Sequence, residues 1–337
     1  MKRRIVFGLA ALLWASYPMG RIVSRWKPAA FLSAPLEWIG AYWVGILFLA
    51  LVCLLAVDLL TGFGFLFKPL VPAIRGGALA MAALLSVVAM VQACRGPAID
   101  AYEIPLRDLP GRYDGLVAVQ LSDLHVGEML GKRWLSRIIR KVAALHPDIV
   151  FITGDLVDGD VGPVAPLIPV LKALNPRLGV WAVTGNHEFY AGRRKSVALL
   201  EKAGFHVLAD QWRAAAPGLV VAGVDDLTAR RRFGMNDAAV DKALKGRPKT
   251  ATILLCHSPL QVDHAAELGA DLMLCGHTHR GQIWPFNYIV RLSYPYVAGF
   301  HRVGDMALIV SRGTGTWGPP MRLFRRGEIV RLVFRAE

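Results

Sequence analysis

Cysteine is scarce in this 337-residue chain: Cys53, Cys94, Cys256 and Cys275 stand without a CxxC pair or any spacing that suggests a disulfide framework. Two lie in apolar runs and two beside histidines, so they read as free, mostly buried thiols that behave as small hydrophobes. Charge is scarce as well. Charged residues make up 19% against 54% hydrophobic, where a soluble domain sits nearer a quarter charged, and this excludes disorder and fibrous repeats. There is no internal repeat and no low-complexity tract. Histidine is missing from the first 124 residues, although nine follow from position 125 onward. Acidic residues are nearly missing from the start: residues 1–96 hold nine Lys/Arg and two Asp/Glu, a charge of +7, and the remainder carries the other half of the total +14. Basicity divided in this way is not one patch, and no nucleic-acid partner is expected. The length allows roughly two domains, and the chemistry belongs to the second.

Before residue 96 the chain offers three uncharged apolar stretches. Ile5–Gly20 has 16 residues, Ala41–Val57 has 17 and resumes after Asp58 as Leu59–Phe67, and Gly76–Cys94 has 19. A span needs about 20 apolar residues, with a range of roughly 17–25. The second and third qualify, with Trp38, Tyr42 and Trp43 as interfacial aromatics. The first is short and carries Pro18, and reads either as a retained span or signal anchor or as a cleaved signal peptide after its basic MKRR start. Residues 1–95 are therefore expected to be a membrane module with two to three transmembrane helices, and the protein a multi-pass cell-membrane protein with the bilayer as a partner. With three spans, Lys2, Arg3, Arg4, Lys68 and Arg75 fall on one side and Arg21, Arg25, Lys27 and Arg95 on the other. That balance selects no orientation under the positive-inside rule.

Residues 96–115 read as a linker, with three prolines and mixed charge. Beyond it, β-branched runs alternate with helical patterns, predicting strands at Leu116–Leu121, Asp148–Thr153, Gly179–Thr184, Leu219–Val224, Ala251–Cys256 and Asp271–Cys275. Helices are predicted over Lys132–Leu145, Pro163–Leu174, Asn236–Leu244 and Leu260–Leu268, and a strand-rich tail over Met306–Phe334. This is an α/β layered architecture of two sheets with helices outside.

The strands end in polar clusters: Asp123 and His125, Asp155, Asn186-His187-Glu188, His257, and His277 with His279. Ligands in layered α/β folds gather outside the carboxyl ends of strands, so five such ends describe one site. Oxygen and imidazole donors without thiolates suit Mn, Fe, Zn, Ni or Mg. Asp123, His125, Asp155, Asn186, His257, His277 and His279 are too many for one ion and about right for two divalent metal ions sharing a carboxylate, an arrangement that clamps a phosphoryl group for in-line attack. His187 is not needed as a ligand and is placed to protonate a leaving oxygen, with Asp158 as the carboxylate that holds its imidazole protonated.

The blocks DLH (123–125), GDLVD (154–158), GNHE (185–188), His257 and GHTH (276–279) resemble, in order, the motifs of the calcineurin-like metallophosphoesterase superfamily, over roughly residues 116–335. LSDLHVG, GNHEFYAG, GHTHRGQIWPFN and SRGTGTWGPPMRL are similar to its membrane-anchored bacterial branch. The resemblance implies a four-layered αββα sandwich over residues 116–337, preceded by transmembrane helices. It assigns Asp123, His125 and His279 to one ion and Asn186, His257 and His277 to the other, with Asp155 bridging, His187 as the acid and Asp158 as its orienter. Two positions depart from the pattern. Gly159 stands where many members have a phosphate-contacting Arg, and Arg280 stands where the branch commonly has Gly. Arg280 either restores phosphate-binding charge as a planar fork or is a solvated surface residue.

Several residues keep two readings. Asp225 and Asp226 either orient a ligand histidine or cap a helix; Trp284, Pro285, Phe286 and Trp317-Gly318-Pro319-Pro320 are either an apolar rim for an acyl chain or core. Arg193, Arg194 and Lys195 read as a solvated helix face, and His146, His206, His264 and His301 as structural. The expected function is hydrolysis of a phosphodiester or pyrophosphate bond by a membrane-bound enzyme, on a phosphoester substrate that is either lipid-linked, such as UDP-2,3-diacylglucosamine, or soluble. The rival class is a non-catalytic membrane sensor or scaffold, which would be expected to lack ligands; here every position is filled.

Overall fold

The computed structural model describes residues 2–23, 31–236 and 238–337. Two compact units share the chain. One takes the described residues as far as Gly96 together with Gln282–Phe286 and Gly318–Arg326; the other takes Pro97–Gly281, Asn287–Trp317 and Gly327–Glu337.

The first unit is helical: α1 (Lys2–Val23), α2 (Ser33–Leu60) and α3 (Val71–Cys94). Among the described residues, α2 and α3, at 28 and 24 residues, are long and apolar enough to cross a membrane. At 1.5 Å per residue both exceed the ~30 Å hydrocarbon layer. The α1 helix holds Pro18 and is not one of them. Residues 24–30, with Arg25 and Lys27 of the expected basic loop, lie outside the described residues. The core of this unit joins Leu49 of α2, Ala82 and Ala89 of α3, and Ile283, Met321 and Leu323 from the two late segments. The amide of Arg322 donates to the Ala89 carbonyl at 3.0 Å and that of Leu323 to Gln282 at 3.1 Å. Residues 282–286 and 318–326, expected within the catalytic domain, thus belong by packing with the helices, because their apolar side chains find their burial there.

In the second unit the chain runs through β1 (Ala98–Leu106), β2 (Val117–Leu121), α4 (Lys132–Ala143), β3 (Ile149–Thr153), α5 (Ile168–Leu171), β4 (Val180–Val183), α6 (Asn186–Tyr190), α7 (Arg193–Lys202) and β5 (His206–Val207). It continues through β6 (Gln211–Ala216), β7 (Leu219–Gly223), α8 (Leu227–Arg232), α9 (Ala239–Leu244), β8 (Ala251–Leu255), α10 (Val262–Glu267) and β9 (Leu272–Cys275). The last elements are α11 (Phe286–Val290), β10 (Gly299–Val303), β11 (Met306–Val310) and β12 (Glu328–Ala336). Two six-stranded sheets result, ordered β1-β12-β2-β3-β4-β5 and β10-β11-β9-β8-β7-β6.

Alternation along the strands builds the layers. Ile149 and Phe151 of β3 meet Ile253, Leu255 and Leu274 of the opposite sheet in a core between the sheets. Val150 and Ile152 turn outward to Leu135, Ile138 and Val142 of α4 and Leu199 of α7. On the far side Leu254 and Met273 meet Val240 of α9 and Val262 of α10. This is the four-layered αββα sandwich.

Three expectations need correction. Residues 98–106, expected as linker, form the edge strand β1, paired in parallel with β12. An edge strand keeps one side free, so it tolerates the charges and Pro105 that disguise it. Residues 163–174 give only a 3-10 turn at Ala165–Leu167 and one short α turn, because Pro166 and Pro169 remove amide donors. The helix expected over Asn236–Leu244 begins at Ala239.

Candidate metal centre

Strands β2, β3 and β4 are mutually parallel, as are β8 and β9, so their carboxyl ends carry the predicted residues to one edge of each sheet. Gln120 ties the two sheets there, donating from Nε2 to Thr153 Oγ1 at 3.0 Å and to the Cys275 carbonyl at 2.8 Å. Five of the seven expected ligands stand in the left-handed region: Asp123 (φ 52°), His125 (45°), Asp155 (52°), His277 (70°) and His279 (47°). Non-glycine residues rarely adopt this region, and where they do the surrounding structure over-determines them, commonly at functional sites. Two motif glycines explain how the loops approach so closely. A Cβ on Gly185 would overlap Asp155 Oδ1, and one on Gly276 would overlap Ser122 Oγ and Asp123 Oδ2.

The donor atoms converge in two groups, Asp123–His125–His279 and Asp155–His257–His277. In the first, His125 Nε2 and His279 Nε2 are 3.0 Å apart and His279 Nε2 is 3.2 Å from Asp123 Oδ1. In the second, His257 Nε2 lies 3.1 Å from Asp155 Oδ2 and 3.2 Å from His277 Nδ1, and Asn186 Oδ1 joins at 3.0 Å from His277 Nδ1. Asp155 Oδ2 also lies 3.9 Å from His125 Nε2, between the groups, while its Oδ1 accepts the His187 amide at 2.8 Å. A further convergence, His125–Asp158–His187, shares His125 with the first group and is not independent of it.

Outer contacts select which nitrogen faces inward. His257 Nδ1 lies 2.7 Å from the Thr153 carbonyl; a carbonyl only accepts, so Nδ1 carries a proton and Nε2 is the nitrogen turned inward. His277 Nε2 contacts the Tyr294 hydroxyl at 2.7 Å, leaving Nδ1 toward Asn186. The Glu188 carboxylate, fully buried, accepts from the amides of Gly185 (2.7 Å), Asp155 (2.9 Å) and Val157 (2.9 Å), locking two motif loops together. A carboxylate three residues after Gly185 is itself a helix-start signal in the sequence. Tyr294 lies outside every motif and gave no signal.

The electrostatics favour cations. Burial raises a carboxyl pKa, yet His279, His257 and His125 hold Asp123 well below the usual carboxylate range. The imidazoles of His257 and then His187 outweigh burial in the same way at Asp155. Conversely, burial pulls His257 down but the Asp155 and Asp123 carboxylates lift it well above an ordinary imidazole. His277 is lowered by burial and by His257, which keeps its lone pair available. Buried carboxylates that stay ionised and draw positive charge to converging imidazole nitrogens fit divalent cations, and the N,O donor set is the one expected for Mn, Fe, Zn, Ni or Mg. Cys256 and Cys275 are fully buried, and the neighbouring Cys275 sulfur together with burial pushes the Cys256 thiol well up, so Cys256 offers no thiolate.

His187 sits beside the two groups with Nδ1 3.2 Å from Asp158 Oδ1 and its ring 4.6 Å from that of His125. Burial depresses its pKa, but Asp155 and Asp158 together raise it above the ordinary value. Asp226 caps α8, accepting from Ala229 N at 2.6 Å, and Asp225 accepts from Thr184 Oγ1 at 2.7 Å and Arg193 Nε at 2.8 Å. Arg193 is therefore tied down and half-buried, while Arg194 and Lys195 are exposed. His146, His206, His264 and His301 belong to no convergent group among the described residues. Trp317 is 53% exposed with its ring 6.4 Å from that of His187. Trp284 and Phe286 pack in the helical unit against Phe324 and Phe48. Arg280, left-handed at φ 54°, follows His279 directly.

A model of calcineurin-like phosphoesterases matches residues 116–281. A bovine "transmembrane protein with metallophosphoesterase domain" is 37% identical over 268 residues, covering 75% of this chain and 60% of that protein. The chain likewise covers 62% of a zebrafish protein of the same name, so it spans about three fifths of the length of these two relatives. An uncharacterized metallophosphoesterase of Aquifex aeolicus is 36% identical over 237 residues, covering 69% of this chain and 89% of that protein. Among solved structures, a calcineurin-like phosphoesterase from Bacillus subtilis aligns with a TM-score of 0.42 at 15% identity, covering 64% of this chain and 90% of that one.

Proposed function

The chain belongs to the calcineurin-like metallophosphoesterase family, and on that premise we propose that it is a membrane-bound, binuclear-metal-dependent phosphoester hydrolase. The observation that carries the reading is Asp155, whose Oδ2 stands 3.1 Å from His257 Nε2 and 3.9 Å from His125 Nε2, so that one carboxylate serves both donor groups. Asp123, His125 and His279 would hold one divalent cation, and Asn186, His257 and His277 the other, with Asp155 between them. Bound there, the cations would polarise the phosphoryl oxygens and ease deprotonation of the attacking water.

The remaining work falls to side chains. His187, kept protonated by the Asp155 and Asp158 charges, delivers a proton to the leaving oxygen, and Asp158 at Nδ1 leaves Nε2 as the donating atom. Glu188 and Tyr294 keep the ligand loops and the His277 ring in register. No nucleophilic serine or cysteine is required.

The finer part of the proposal is a multi-pass membrane protein acting on a lipid-linked phosphodiester or pyrophosphate of the UDP-2,3-diacylglucosamine type. The two long apolar helices support it, as do the names of the bovine and zebrafish relatives and the exposed Trp317 ring near His187. The test is assay of purified, Mn-reconstituted full-length protein against bis-p-nitrophenyl phosphate and a panel of vesicle-borne and soluble pyrophosphates, with elemental analysis of the same sample. Turnover with two metals per chain, faster on the vesicle-borne pyrophosphate than on its water-soluble head group, is expected. A fully metal-loaded protein that hydrolyses none of them would sink the enzymatic reading.

A further inference from the structure

The solvent face of α4 in the sandwich unit is built of cations. Lys132, Arg133, Arg137 and Arg140 are exposed, while Leu135, Ile138, Ile139 and Val142 on the other side are buried in the core against the first sheet. The helix, KRWLSRIIRKVA, holds no acidic residue. The four cations and Ser136 line a shallow hollow of about 660 Å³, and among the described residues none of the four is held in an ion pair. This face works against the helix that carries it. Lys132 and Arg133 occupy the first turn, where the helix dipole disfavours positive charge. Arg133 and Arg137 stand four residues apart, and Arg137 and Arg140 three, the spacings at which like charges repel on a helix surface. The far end of α4 is fastened to the start of the sandwich unit. Lys141 Nζ donates to the Pro97 carbonyl at 3.1 Å, and Pro97 stands three residues after Cys94, the last residue of α3. Three residues of chain span at most about 10 Å, so α4 is tied close to the end of an apolar helix.

We propose that the cationic face of α4 docks the sandwich unit onto the anionic phospholipid headgroups of the bilayer. A surface whose charges repel one another, and which no acidic side chain of the unit neutralises, is matched by an external anion. Each Lys or Arg close to an anionic leaflet strengthens binding roughly fivefold, and the attraction falls off over about 8 Å at physiological ionic strength. A helix lying along the membrane surface brings all four side chains within that range together. A soluble polyanion would match the same charge, but only the bilayer is brought to the face by the chain itself, through the short connection from α3 to Pro97. The docked state holds the unit by charge alone, so it depends on lipid composition and on salt.

This inference rests on the proposed reading of α2 and α3 as membrane spans, so its test separates the two. Full-length protein is reconstituted in nanodiscs of phosphatidylcholine, alone or mixed with phosphatidylglycerol, and amide hydrogen exchange is followed across residues 132–143 at low and high salt. Exchange is expected to slow about tenfold in discs that contain phosphatidylglycerol, and raised salt to abolish the difference. A variant combining Lys132→Gln, Arg133→Gln, Arg137→Gln and Arg140→Gln should exchange alike in both discs. One combining Arg133→Lys, Arg137→Lys and Arg140→Lys should keep the protection, because a headgroup layer reads charge and not the planar fork. Thermal melts in phosphatidylcholine discs check the fold of the glutamine variant. Relief of the repulsion should leave its Tm at or above that of the wild type, and a lower Tm would make the cations structural and overturn the proposal. Wild-type exchange that ignores phosphatidylglycerol overturns the docking and leaves the spans standing. Protection by inorganic phosphate or a short RNA in phosphatidylcholine discs, with none from phosphatidylglycerol, assigns the face to a soluble anion and overturns it as well. A protein that enters neither disc faults the membrane reading itself, and this inference falls with it.

Discussion

Burial in the helical unit is carried by Leu49, Ala82, Ala89, Ile283, Met321 and Leu323, side chains whose contacts depend on volume. The sandwich unit encloses a centre of Asp123, His125, Asp155, His257 and Glu188, each at most 3% exposed, whose contacts depend on a donor meeting an acceptor near 3 Å. Apolar packing absorbs a change of shape at modest cost, but a buried polar atom that loses its partner costs the whole desolvation of that atom. The comparison teaches where tolerance lies. A substitution in the helical unit should register as stability alone, whereas one at the centre should register as chemistry and metal content, with a stability cost wherever a buried partner is left unpaired.

The largest break in that contrast is expected from His187→Ala. It should keep its metals yet lose about 10²–10⁴-fold in kcat, the worth of a positioned general acid, with a smaller loss for p-nitrophenolate, which leaves without a proton. Metal analysis and kinetics on two leaving groups check it, and metal loss in the variant would make His187 a ligand instead. Next in size is Asp158→Asn. The Asp158 charge raises the His187 pKa, so its removal lowers that pKa and the proton is lost at lower pH. The alkaline limb of the kcat profile should therefore move to lower pH, with about tenfold lost above it, and an unmoved limb would separate Asp158 from the acid. The smallest effect on rate belongs to Met321→Ala, which should cost about 2 kcal/mol of stability in a detergent melt, with metal content and bis-p-nitrophenyl phosphate turnover unchanged.

The two regions were also unequally legible. The metal-type residues were readable because parallel strands deliver their carboxyl-end residues to one edge, so Asp123, Asp155, Asn186, His257 and His277 could be grouped without coordinates. The α2 and α3 helices were readable from composition alone. What escaped depends on tertiary neighbours. The edge strand β1 hides behind Asp100, Glu103 and Pro105, residues that an edge accommodates. Tyr294 reaches His277 across 17 residues with no motif to mark it. Ile283, Met321 and Leu323 sit in sequence that reads as part of the catalytic domain, and only packing assigns them to the helices. For that reason residues 1–95 are not a removable anchor, and their deletion would strip these three side chains of their cover.

The central claim is that Asp155 joins two cation sites into one centre. The measurement that tests it most directly is calorimetric titration of Mn into chelator-stripped full-length protein, wild type beside Asp155→Asn. The account predicts two ions bound by the wild type and a weakening of both sites together in the variant, since the 3.1 Å and 3.9 Å approaches to His257 and His125 come from the same oxygen. One ion in the wild type, or a variant that loses one site while the other keeps its affinity, would contradict it.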